Sequence, residues 1–130
     1  MIGNKVTEEL TVSPQITADD IQAIKAAGFR SVLCNRPDGE ESRQPAFAAI
    51  EAAATAAGLE VRHQPVASGQ MTKEDVAAFK AALATLPGPV FAYCRSGTRC
   101  ITLWALGESA ERPMPEVLQM ARDAGYDLGG

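Results

Sequence analysis

The chain has 130 residues, 46% of them hydrophobic and 22% charged, with a net charge of −4. That length suits one hydrophobic core and predicts a single domain over residues 1–130, while the acidic balance argues against a nucleic-acid partner, whose footprint would be basic. No apolar run approaches the roughly 18 residues that a membrane span needs, and residues 1–10 are polar and acidic, without the order of a signal peptide.

Leu10-Thr11-Val12 alternates and predicts a short strand, broken by Ser13-Pro14. Thr17 reads as the N-cap of a helix with Asp19 and Asp20 in its first turn, an apolar face at Ile21 and Ile24, and a stop at Gly28. Residues 29–34 read as a buried strand, and 35–42 as a loop turning at Pro37-Asp38-Gly39. An alanine-rich helix is expected over 45–57, a strand over 59–63 and a loop over 64–71. Thr72 caps the next helix with Asp75 three residues on, and Val76, Phe79, Leu83 and Leu86 form its face. Pro87-Gly88-Pro89 ends it. Residues 90–93 read as a buried strand, 94–99 as a loop, and a helix begins at Thr98 or Arg99. Pro113 opens a last helix that Gly125 closes. Strands alternating with helices predict an α/β fold: a mostly parallel sheet of four to five strands with helices on both faces.

Three cysteines is an odd count, and the separations of Cys34, Cys94 and Cys100 fit no zinc motif. Free thiols in a reducing cytoplasm follow.

The chemistry concentrates in Val90-Phe91-Ala92-Tyr93-Cys94-Arg95-Ser96-Gly97-Thr98-Arg99. A buried strand delivers Cys94 to the carboxyl edge of the sheet, where open α/β sheets bind ligands. The loop N–H groups and the helix N-terminus would converge on the sulfur, which binds anions and lowers a thiol pKa. Arg95 and Arg99 add positive charge, Gly97 lets the loop turn tightly, and Ser96 and Thr98 complete an anion-binding loop. A buried structural thiol is the plainer reading of Cys94, and the polar, cationic composition around it argues the other way.

The string Tyr93 to Arg99 resembles the active-site loop of single-domain rhodaneses, which carry sulfur as a cysteine persulfide. More of the chain is similar to the beta-lactamase-hydrolase-like, phosphatase-like domain family: Val12-Ser13-Pro14-Gln15-Ile16-Thr17, Gly28-Phe29, Asn35-Arg36-Pro37-Asp38-Gly39-Glu40, Pro65-Val66, Gly69, Met71-Thr72 and the Cys94 loop. That resemblance implies a dual-specificity (cysteine) phosphatase-like fold, a sulfurtransferase label, and a persulfide dioxygenase as fusion or partner. Three departures bear on phosphatase chemistry. Cysteine phosphatases leave five residues between the cysteine and the arginine, which puts the arginine where this chain has Cys100, with Arg99 one residue early. The loop 66–71, which would supply the acid, holds no carboxylate; the nearest, Asp75, reads as a capping residue. Tyr93 stands where a histidine is usual.

Cys34 ends a strand that should neighbour the Cys94 strand, and Cys100 lies in the first turn of the following helix. Each reads first as a buried side chain and second as a partner thiol for Cys94. Arg36 either lines the mouth or is a loop charge paired with Asp38 or Glu40. His63 reads as a satisfied structural residue, and Trp104 as core. Ser68 and Gln70 belong to the loop expected to overhang the site, as rim residues by fold analogy.

The leading expectation is a thiolate-dependent sulfurtransferase, with Cys94 as nucleophile and Arg99 as anion grip, acting on a small anionic substrate such as thiosulfate or a persulfide. The alternative is a phosphatase-like hydrolase forming a phosphocysteine from a phosphate ester. The third is a non-catalytic anion- or persulfide-sensing module. No metal or organic cofactor is implied by any of them.

Overall fold

The central strand is β5 (Val90–Tyr93), buried along its whole length. In the computed structural model, which describes residues 3–129, it lies third in a five-stranded sheet ordered β1-β2-β5-β3-β4. Its neighbours β2 (Leu10–Ser13) and β3 (Ser31–Cys34) run parallel to it, as β4 (Glu60–His63) does to β3. The two-residue β1 (Asn4–Lys5) pairs antiparallel with β2. Nothing in the alternation of the sequence announces so short an edge strand, and its pairing rather than its residues defines it. The mostly parallel, four- to five-stranded sheet is as expected.

Side chains of β5 alternate between two apolar layers. Val90 and Ala92 face a core built with Leu33, Phe79, Leu103, Trp104 and Val117. This layer is closed by α3 (Lys73–Thr85), α4 (Thr98–Glu108) and α5 (Met114–Asp123). Phe91 and Tyr93 face Ile21, Ile24, Val32 and Ile50, on α1 (Ile21–Ala26), α2 (Phe47–Ala56) and β3. A strand covered on both faces has no solvent side, which is why 90–93 is an unbroken apolar run. Among the described residues, no helix is long and apolar enough to cross a membrane.

Two element ends differ from expectation. The Thr17-capped helix opens as a single 3-10 turn over Ala18–Asp20 before becoming regular at Ile21. The strand after Gly28 starts at Ser31, two residues late. At α3 the capping box is complete: the Thr72 hydroxyl accepts from the Asp75 N–H at 3.1 Å, and the Asp75 carboxylate accepts from the Thr72 N–H at 2.9 Å. Asp75 is therefore a cap, as its spacing indicated.

Candidate active site

Cys94 is the first residue beyond β5, and its N–H still reaches the Ser13 carbonyl of β2, at 3.3 Å. The chain then turns through 95–97 into α4. Gly97 takes φ +95°, a left-handed conformation that costs an L side chain about 1–2 kcal/mol. It is also roofed by Tyr126. The Tyr126 hydroxyl donates to the Ser96 carbonyl at 2.9 Å and accepts from Asn4 Nδ2 at 3.1 Å. A Cβ at position 97 would overlap that phenol oxygen. Gly97→Ala is accordingly expected to lower the denaturant midpoint by at least about 1–2 kcal/mol of stability; an unchanged midpoint would show that the loop gives way freely.

The turn wraps its donors around the sulfur. The Gly97 N–H donates to Cys94 Sγ at 3.1 Å. The Cys100 thiol, at the start of α4, does the most to hold the sulfur as an anion. Burial opposes it, and the backbone N–H groups of Cys100, Gly97 and Arg99 assist. The result is a thiol pKa brought down to about 5. Cys94 is thus ionised at neutral pH although its residue is fully buried, because the loop supplies what water would. Cys100 itself is pushed well up by burial and by facing an anion, so it remains the S–H donor.

Cys100→Ala removes that donor. A hydrogen bond to a charged group is worth about 1.5–3 kcal/mol, so the Cys94 midpoint should rise by about one to two pH units. Cys100→Ser, whose hydroxyl can donate from the same place, should restore it. Alkylation rate against pH reads both; the same midpoint in Cys100→Ala and wild type would contradict the assignment.

The loop that follows Cys94 walls a cleft of about 440 Å³ with Arg95, Ser96, Thr98 and Arg99, and Ser68 joins them; Cys94 itself is buried behind it. Arg99 does not point to solvent. Its guanidinium forks onto Glu40, with Nη1–Oε2 at 2.7 Å and Nη2–Oε1 at 2.8 Å, and Nη1 also donates to the Val66 carbonyl at 2.9 Å. Arg36 reaches the same carboxylate, Nε to Glu40 Oε1 at 2.9 Å, and donates to Glu41 at 2.8 Å and to the Gln15 side chain at 3.1 Å. Arg95 pairs with Glu41 at 3.1 Å. Hydrogen bonding from Arg99, with Arg36 assisting against burial, holds the Glu40 carboxyl down to about 2. Three guanidiniums and two carboxylates therefore meet at the mouth.

Several expected site residues are placed differently. Arg36 is no solvated loop charge: it is buried, and its donors are committed to Glu40, Glu41 and Gln15 while its edge lines the cleft. Ser68 reaches the cleft. Gln70 does not; it is exposed, and its N–H closes a turn on the Ala67 carbonyl. Cys34 shares the carboxyl edge with Cys94, as parallel neighbouring strands require. Its thiol donates to the Arg36 carbonyl at 3.4 Å, and burial pushes it up. Cys100 is buried as its first reading had it, and it also lowers the pKa of Cys94. His63 Nε2 lies 2.8 Å from the Arg36 carbonyl, and its ring stacks on Phe47. A second cleft, of about 320 Å³, opens at the opposite sheet edge between Lys25, Arg30, Gly58 and Glu60, with no nucleophile in its walls.

The residues that sequence reasoning passed over as site residues are Glu40, Glu41 and Tyr126. The acidic pair stands four and five positions after Arg36, a spacing that could have marked it. Tyr126 is thirty residues from Ser96 and carries no local signal.

Comparison with known proteins agrees with this geometry. Residues 4–111 match the family described as beta-lactamase hydrolase-like protein, phosphatase-like domain. A beta-lactamase hydrolase-like protein of Agrobacterium fabrum is 36% identical over 126 residues; these are 95% of this chain and 29% of that protein. The chain thus spans under a third of that relative's length. The crystal structure of a candidate phosphatase from Neisseria meningitidis superposes with a TM-score of 0.91 at 40% identity, covering 99% of this chain and 92% of that one. A kinase-associated phosphatase shares the fold at 14% identity, with a TM-score of 0.69 over 89% of this chain and 75% of its own. The chain belongs to the beta-lactamase hydrolase-like, phosphatase-like domain family, and it has a cysteine-phosphatase-like fold.

Proposed function

We propose that the chain hydrolyses phosphate esters through a phosphocysteine on Cys94. The observation that carries this reading is a buried Cys94 sulfur that accepts the Gly97 N–H, in a loop whose following residues wall a cleft with three arginines. The 40% identical candidate phosphatase supports it. The Cys94 thiolate attacks phosphorus, the P–O ester bond breaks, and its electron pair leaves with the oxygen. Water then attacks phosphorus, the P–S bond breaks, and the thiolate returns with inorganic phosphate released. Guanidinium and amide donors stabilise the charge gathered on the phosphoryl oxygens. The test is 4-nitrophenyl phosphate at neutral pH: Cys94-dependent release of nitrophenolate is expected, and no release would overturn the reading.

The short loop favours a second reading, sulfane-sulfur transfer. Only four residues separate Cys94 from Arg99, a spacing similar to that of rhodaneses. The thiolate would attack the outer sulfur of thiosulfate, the S–S bond would break, and sulfite would leave with the electron pair. A thiol or cyanide would then take the sulfur from the persulfide. Mass spectrometry after thiosulfate treatment should then show Cys94 heavier by about 32 mass units, one sulfur; an unmodified Cys94 would remove this reading. With it come a persulfide dioxygenase partner and, from three free thiols, a cytoplasmic setting.

A further inference from the structure

We propose that this site gives no proton to the leaving group, and so acts on phosphate esters whose leaving group departs as a stable anion: acyl phosphates and esters of acidic phenols, not alkyl esters. The inference rests on the phosphatase reading and narrows its substrate class.

Each group at the carboxyl edge of the sheet that could act as an acid is held otherwise, beginning with the Cys34 and Cys100 thiols, which are buried and pushed up. Glu40 is gripped by two guanidiniums, forked onto Arg99 and bonded to Arg36, which keeps it ionised at any pH where the thiolate exists. Glu41 is ion-paired to Arg36 and Arg95. Asp38 accepts from the Phe47 N–H at 2.8 Å, as the first turn of α2 requires. Asp75 is spent in the α3 cap. His63 turns its Nε2 to the Arg36 carbonyl and its ring onto Phe47, and it does not line the cleft. Ser68 is the one side chain that the overhanging loop adds to the cleft, and its hydroxyl does not ionise near neutral pH. Ser96 and Thr98 hydroxyls hydrogen-bond each other at 3.0 Å and are equally weak acids. Burial drives the Tyr93 phenol up, and Tyr126 donates its proton to the Ser96 carbonyl. Among the described residues, what remains at the mouth is guanidinium. It can hydrogen-bond a departing oxygen but does not surrender a proton.

A positioned general acid is worth about 10²–10⁴-fold, and its absence falls hardest on basic leaving groups. The same deficit leaves the second step without a base to activate water. The phosphocysteine should therefore accumulate when the first step is fast.

The experiment compares kcat/KM for phenyl, 4-nitrophenyl and 2,4-dinitrophenyl phosphate, with Cys94→Ser as blank. kcat/KM reports the first covalent step, so slow dephosphorylation does not mask it. Expected is a rise of at least about 10²-fold from phenyl to 2,4-dinitrophenyl phosphate, with a burst of phenolate near one equivalent per site for the most reactive ester. Cys94-dependent turnover at equal kcat/KM across the series would overturn the inference and leave the phosphatase reading standing. Absence of turnover of all three esters would overturn the phosphatase reading itself.

Discussion

Cys94→Ser is expected to abolish turnover by either chemistry, with a loss on the order of 10⁴-fold or more. The loop is built to hold an anion on the atom that attacks: the Gly97 N–H lies 3.1 Å from Sγ, and Cys100 does the most to lower the thiol pKa. A serine hydroxyl presented to the same donors stays protonated at neutral pH, and it has no neighbouring base to take its proton. Glu40 is locked to guanidinium, and His63 faces the Arg36 carbonyl. The variant should still fold, because serine and cysteine are close in volume, and far-ultraviolet circular dichroism with a thermal scan checks that. Turnover within tenfold of wild type in a folded Cys94→Ser protein would remove Cys94 from the chemistry.

Arg99→Ala should cost about 10²–10³-fold in kcat/KM, the loss typical for one charge-stabilising donor. Two consequences combine. The cleft loses one of its three guanidiniums, and Glu40 loses its fork, so its carboxyl should rise from about 2. The sign for stability follows. A carboxyl lowered by folding stabilises at pH values above its unfolded value of about 4.3, and that contribution disappears as pH falls toward 2. In Arg99→Ala the acid-side loss should begin at the same pH, finish at a higher one and total less. Arg99→Lys places a point charge where a fork is needed, and it should restore only part of the activity. Urea midpoints from neutral pH down to acid, beside kcat/KM, separate the roles. Wild-type kinetics with only an acid-stability change would make Arg99 purely structural.

The sheet and its catalytic turn were legible because their residues announce them locally. The run 90–93 is apolar on both faces, and Cys94 stands at its end before a glycine and a helix start. The Thr72 cap was equally plain, since both its partners lie within one turn. What was not legible depends on contacts across the sheet. Arg99 falls one residue short of the phosphatase spacing, and the sequence alone gave no reason to expect its guanidinium on Glu40, 59 positions earlier. Arg36 reads either as a mouth residue or as a loop charge paired with Asp38 or Glu40; what the sequence does not show is Gln15 and Glu41 closing around it. Cys100 looked like a core residue, and it is one. Its effect on Cys94 arises because the first turn of α4 brings its thiol to the sulfur.

The central claim is that folding ionises one thiol. The most direct measurement is the thiolate absorbance of the wild-type protein as a function of pH, with Cys94→Ser subtracted. Cys34 and Cys100 are both pushed up by burial, so the difference isolates Cys94. A midpoint near 5 is predicted. A midpoint at or above that of ordinary cysteine, about 8.5, would contradict it.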